Sequence, residues 1–110
     1  MSKKKISVVW SKSAVLDLKS VVDFISKNSP QNAREALALI KKDCILLGFN
    51  PDLGKVPLEL EKLQISTYRE LVVAPWRVFY RKEAERIVVL AVIDSRRDID
   101  DALWARMINR

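Results

Sequence analysis

Six arginines fall within residues 68–98, YRELVVAPWRVFYRKEAERIVVLAVIDSRRD, and five of them, Arg69, Arg77, Arg81, Arg96 and Arg97, stand at the ends of its apolar runs or between their apolar residues. A guanidinium is planar, stays charged at any physiological pH, and presents its donors in a fork that matches a carboxylate or a phosphate. A cluster of them suits an acidic partner or a nucleic acid. It can stabilise developing negative charge, but its pKa is too high for proton transfer at neutral pH. The chain has no histidine, which removes both the commonest general base and the commonest metal ligand. Its single cysteine, Cys44, forbids an internal disulfide. Zinc sites and Ser/His triads are therefore excluded, and the reading requires no cofactor and no metal.

Charge is segregated along the chain. Net charge is +6; ten of the eleven lysines lie at or before Lys62, and eight of the nine arginines at or after Arg69. For any one arginine, a charge that keeps a sheet rim soluble is an equally simple account. Arg77 and Arg81 share a strand face with Phe79, where either can pair with Glu70 or another carboxylate. Asp94 and Asp98 flank Arg96 and Arg97, so capping and local ion pairs also explain that turn. Tyr68, Trp76 and Tyr80 read as core or rim packing before base stacking, because stacking needs exposed rings along a continuous basic track.

Three strands must position these arginines. Residues 68–73 and 76–82 are rich in β-branched and aromatic residues, and residues 87–93 are almost unbroken Ile, Val, Leu and Ala, as a buried central strand requires. Ala74 and Pro75 leave room only for a tight turn, and residues 82–86 form a second, charged one, giving a three-strand meander. Upstream, residues 6–10 alternate as a short strand, and residues 1–5 read as a flexible basic arm. Ser11 or Ser13 can cap a helix with Ala14, Leu18, Val21, Val22 and Ile25 in register. Pro30 opens a second helix running to about Leu47, with Ala33, Ala36, Leu37, Ile40, Cys44 and Leu47 on one stripe. Leu39, Ile45 and Leu46 exceed that stripe and either pack against the sheet and first helix or offer a face to a partner chain, packing being the simpler account. Cys44 lies in the apolar register and reads as an inert buried thiol.

Residues 49–67, with Pro51, Gly54 and Pro57, read as a long loop. Asp98 can cap a terminal helix carrying Ile99, Leu103, Trp104 and Met107. The order is β-α-α-β-β-β-α: an α+β fold with a helix hairpin packed on a mostly antiparallel four-stranded sheet and a short C-terminal helix, all in one domain of residues 1–110. No apolar run approaches a membrane span, and the lysine-rich opening runs directly into a strand, so a cytoplasmic protein is expected.

This order, together with Pro51-Asp52-Leu53-Gly54, Tyr68-Arg69-Glu70-Leu71, the run from Trp76 to Arg81 (WRVFYR) and the run from Ile93 to Asp98 (IDSRRD), resembles the RelE/ParE toxins of bacterial type II toxin–antitoxin systems. The resemblance covers nearly the whole chain. It implies a small basic toxin, in a family associated with plasmid stabilization, neutralised by a cognate acidic antitoxin whose flexible tail lies along the sheet and helices. Homo-oligomers are then expected only through the antitoxin complex.

RelE-like members cut messenger RNA on the ribosome, whereas ParE-like members block DNA gyrase without known bond-making. Matching along the motifs places Arg69, Arg77 and Arg96 or Arg97 at basic positions of the RelE-like site. Leu103 or Trp104 stands where a terminal acid or base would be expected, and no tyrosine, histidine or glutamate follows Glu85. Leu71 replaces a second lysine that RelE enzymes often carry. A set of arginines lacking a proton-transfer partner cannot complete cleavage by the 2′-hydroxyl. The resemblance therefore favours a ParE-like, non-enzymatic gyrase inhibitor. The alternatives are a ribosome-dependent endoribonuclease using Arg69, Arg77, Arg96 and Arg97, or a family member acting only as a binding module. Arg69, Arg77, Arg81, Arg96, Arg97, Leu103, Trp104 and Met107 are the candidate target- or antitoxin-binding residues.

Overall fold

The structure, a computed structural model, describes residues 5–95. Strand β1 is Ser7–Trp10, helix α1 Lys12–Ser26, helix α2 Pro30–Ile45, a single-turn helix α3 Leu58–Glu61, and strands β2, β3 and β4 are Tyr68–Val73, Trp76–Lys82 and Arg86–Asp94. The sheet order is β1-β4-β3-β2, with β1 parallel to β4 and the other pairs antiparallel. This is the α+β arrangement expected from the sequence, with β4 central. The expected terminal helix from Asp98 and the basic residues 1–4 lie outside the described residues.

Seven consecutive residues of β4, 87–93, are buried. A strand buried on both faces needs cover on both. The helix hairpin supplies the first layer, setting Ala14, Leu18, Ile40 and Cys44 against Val73, Val78, Val89 and Val92, with Trp10 and Trp76 packed at the margin. Ser11 joins β1 to α1: its N–H donates to the Val89 carbonyl at 2.9 Å, and its Oγ accepts the Ala14 N–H at 3.1 Å, capping the helix. Ser29 caps α2 in the same way through the Asn32 N–H at 3.1 Å, with Pro30 at the first position. Helix α2 ends at Ile45, two residues earlier than expected, and tightens into a 3-10 turn over Leu46–Gly48. There the Gly48 carbonyl accepts the Ile6 N–H at 2.9 Å, and a Cβ on Gly48 would stand 2.7 Å from the Ile6 carbonyl oxygen. Leu39, Ile45 and Leu46 do not add to the packing as the sequence suggests. They stay about half exposed, because the Ala33, Ala36, Ile40 and Cys44 stripe already fills the seam.

The second face is covered by the segment expected to be loop. Its α3 turn lowers Leu60 onto Phe79, Ala91 and Ile93, with Ile65 and Tyr68 alongside. The same segment guards the outer edge of β2: the Lys55 N–H donates to the Glu70 carbonyl at 3.0 Å, and the Glu70 N–H returns to the Lys55 carbonyl at 2.7 Å. Tyr80, fully buried from the helix side, fixes the bend before it. Its hydroxyl donates to the Pro51 carbonyl at 2.8 Å and accepts the Gly54 N–H at 2.9 Å. Gly54 is required there by close approach, since an added Cβ would collide with the Glu70 carbonyl and the Tyr80 hydroxyl. Gly54→Ala is therefore expected to lower stability by about 1–3 kcal/mol, as overpacking does, and urea unfolding monitored by tryptophan fluorescence measures it.

Candidate functional site

Arg77 is the centre of charge on the sheet face that α3 covers. Antiparallel pairing puts Val72 opposite Arg77 and Glu70 opposite Phe79, so Glu70 reaches Arg77 along the diagonal. Nε and Nη2 of Arg77 donate to the two Glu70 oxygens at 2.7 and 2.6 Å. Nη1 and Nη2 donate to the two Glu59 oxygens at 2.9 Å each. The guanidinium also lies 5.0 Å from the centre of the Phe79 ring. One cation thus holds two carboxylates, and the cluster carries a net charge of −1. The Glu70 side chain is only 4% exposed, so its charge is tolerated only because Arg77 pairs with it. Hydrogen bonds from Arg77 hold the Glu59 carboxyl below its usual range, against an opposing effect of burial. The same two carboxylates push the Arg77 guanidinium further above its already high range.

Arg69 projects to the opposite face. Its Nη1 donates to the Gly54 carbonyl at 2.8 Å, and its Nε lies 3.5 Å from Asp52, which also pairs with Lys82. It thereby braces the bend that Tyr80 holds. Arg81 returns to the Arg77 face and pairs with Glu83, which also accepts from Nε of Arg86 at 2.6 Å. The three candidate arginines among the described residues are thus each paired with carboxylates. The pairing of Arg77 with Glu70 is as the sequence allowed; Glu59 was not foreseen, because a single-turn helix shows no periodicity. The one available signal was Pro57 followed by Glu59, a helix-start pattern inside an apparent loop. Arg96, Arg97, Leu103, Trp104 and Met107 lie outside the described residues.

A shallow cleft of about 280 Å³ opens beside Arg77, lined by Lys55, Leu58, Glu59, Glu70, Val72 and Ser95. A phosphodiester brought there would meet the carboxylates of Glu59 and Glu70 beside Arg77, with Lys55 as the other cation of the lining. Glu59, held ionised and hydrogen-bonded, is a poor proton acceptor. Elsewhere, burial first and then the neighbouring Asp43 push the Cys44 thiol up to about 12, which leaves it un-ionised and unreactive. Tyr80 is likewise raised by burial and serves as a structural donor.

Two apolar grooves flank α1. One, of about 500 Å³, is lined by Trp10, Val15, Leu18, Val22 and Leu37, with Lys19 and Lys41 at its rim. The other, of about 650 Å³, runs between α1 and the β3–β4 end, with Val21, Phe24, Ile25, Pro75 and Trp76 in its walls and Asp17 and Asp94 also in its lining. Phe24 is 70% exposed there, an uncommon state for so large an apolar side chain beside a groove.

A family model described as the ParE toxin of the parDE type II toxin–antitoxin system matches residues 8–99. The chain belongs to the ParE toxin family. Among solved structures it is similar to the chromosomal ParDE system of P. aeruginosa, at 20% identity, TM-score 0.68, with 84% of this chain and 98% of that one covered. It also aligns with the RelBE2 toxin–antitoxin complex of Mycobacterium tuberculosis, at 20% identity and TM-score 0.48, over 82% of this chain and 91% of that one. A search of curated protein sequences returns no match. The likeness to the first of these is one of fold. In this ParE-family chain the sheet arginine Arg77 is held by two carboxylates, so sequence position alone does not give it a free phosphate-binding fork.

Two outcomes follow from the Arg77 cluster. Arg77→Met strands the buried Glu70 carboxylate and is expected to cost about 3–5 kcal/mol, measured by urea unfolding, whereas Glu59→Gln, at a more exposed site, should cost clearly less. Because the Glu59 carboxyl is depressed in the folded state, its contribution is complete above its ordinary value of 4.5 and is lost as pH falls through the lower folded-state value. A series of melting curves below pH 4.5 should therefore fall more steeply for the wild type than for Glu59→Gln; parallel curves would show that this carboxylate carries none of the acid sensitivity.

Proposed function

We propose that this ParE-family toxin is neutralised by a cognate acidic antitoxin in the cytoplasm and acts on DNA gyrase rather than by cutting messenger RNA. The observation that carries the second part is the Arg77 cluster. Ribonucleolytic use of this face requires a net positive site and a proton-transfer pair. Here Arg77, the most buried arginine among the described residues, carries two carboxylates, a group with a net charge of −1. The phosphate-facing role that the RelE pattern would assign to Arg77 is thus opposed by its own neighbours. The match of the ParE toxin family model over residues 8–99 supports the same branch of the family.

The antitoxin part is supported by surface chemistry. The groove edged by Lys19 and Lys41 is apolar within and cationic at its lip, which suits an amphipathic acidic segment that orders on binding. The exposed Phe24 extends the apolar track past the second groove. The chain's charge of +6 favours rapid capture of such a segment at low ionic strength.

The deciding experiment is induced expression without antitoxin in bacteria carrying a DNA-damage reporter, paired with purified toxin added to a gyrase supercoiling reaction and to a translating extract. Growth arrest with reporter induction and loss of supercoiling is expected. Arrest with a silent reporter and cleaved message would transfer the assignment to the endoribonuclease reading. Absence of arrest would favour a binding module without toxicity.

A further inference from the structure

The sheet face that holds Arg77 has an opposite electrostatic character at its other end. Arg81 lies four residues along β3, with Tyr68 and Val88 as its cross-strand neighbours. Its Nε and Nη2 both donate to the same oxygen of Glu83, Oε2. The other oxygen of that carboxylate is taken by Arg86. Two guanidiniums therefore share one carboxylate, and the group carries a net charge of +1, against −1 at Arg77. Nη1 of Arg81 is buried and, among the described residues, has no hydrogen-bond partner. A buried charged donor without an acceptor forfeits the hydration that it had in the unfolded chain. At Arg77, by contrast, every guanidinium nitrogen donates to a carboxylate.

We propose that Arg81, backed by Arg86, is the seat of one carboxylate contributed by the acidic antitoxin, which brings the acceptor that Nη1 lacks. This rests on the antitoxin reading above. The net charge of the group matches a single aspartate or glutamate side chain. A nucleic-acid backbone would need successive cations, and the next charged cluster along this face is the net-negative one at Arg77. Nη1 is enclosed while the Arg81 side chain as a whole is 17% exposed, so the incoming carboxylate meets Nη1 only as the guanidinium turns outward from Glu83, a rearrangement that a packed segment can drive and a freely diffusing ion cannot. Glu83, in the turn between β3 and β4 and more exposed than Arg81, acts as the resting counter-ion that the incoming carboxylate supplements or displaces.

The test uses the protein encoded by the reading frame beside this gene as the probe, with affinity measured by calorimetry and folding by thermal melts. Arg81→Met is expected to weaken binding on the order of 10- to 100-fold, the effect of losing a charged hydrogen bond, with little change in Tm. Arg81→Lys, which keeps the charge but not the fork, should also bind more weakly and guards against a folding failure of the first variant. Glu83→Gln should bind at least as tightly as the wild type, since it removes the competing carboxylate. Wild-type affinity in both Arg81 variants would overturn the proposal and leave the antitoxin reading intact. A large Tm loss in both variants with unchanged affinity per folded molecule would overturn it as well, by showing that the guanidinium is satisfied within the chain. If the wild type itself does not bind the probe, the antitoxin reading falls and this proposal falls with it.

Discussion

Burial of β4 on both faces is the condition on which the other layers depend. With residues 87–93 all withdrawn from water, the sheet cannot remain half-solvated as most antiparallel sheets do. The helix hairpin covers one face with a single stripe from each helix. Among the described residues, the other face receives the Lys55 rung, the α3 turn and Leu60, with Ile65 and Tyr68 beside it. This segment brings few apolar side chains of its own. It is anchored instead by charge, through Glu59 on Arg77, and by the Tyr80 and Arg69 bonds to the Pro51–Gly54 bend.

That anchoring has an electrostatic consequence along the sheet. Each ion cluster is internally paired, yet the pairing is unequal: two carboxylates on Arg77 at one end, two arginines on Glu83 at the other. The uncovered surface therefore presents alternating excess charge rather than a uniformly basic track, although the chain as a whole is strongly basic. Global charge governs the rate at which an acidic partner arrives; local imbalance governs where its charges settle. On the proposed reading, such a surface fits a peptide, whose acidic residues can be spaced to match, better than a nucleic-acid strand, whose phosphates are evenly spaced.

Much of the architecture was legible in the residues. The unbroken apolar run of β4 marked the central strand, Ala74 and Pro75 allowed only a tight turn, and Ser11, one of the two caps open to the first helix, and Pro30 marked helix starts that the structure places where expected. The α3 turn was not legible, because four residues cannot express a period, and its formation is driven by Leu60 finding Phe79, Ala91 and Ile93 across the sheet. The surplus leucines of α2 misled for a related reason: periodicity counts apolar residues but does not show how many the opposing surface can accept. For the site, residue type was readable and state was not. Arg77 and Glu70 are neighbours in the meander and could be paired from strand register, but Glu59 comes from a segment whose fold was unknown until the sheet was built.

This distinction between type and state bears on how members of the family are told apart. An arginine at a motif position retains its charge in every relative, so alignment scores it as retained whether its fork faces solvent or two carboxylates. What changes its chemistry is the number of acceptors already on it. With Glu70 buried against it and Glu59 closing the outer edge, Arg77 acts as a structural cation whose removal would strand a carboxylate, and its availability to a substrate phosphate would require breaking four charge-assisted hydrogen bonds. The two glutamates therefore carry more information about the function of this face than the arginine that drew attention to it, since they decide whether the guanidinium is spent on the fold or kept for a ligand.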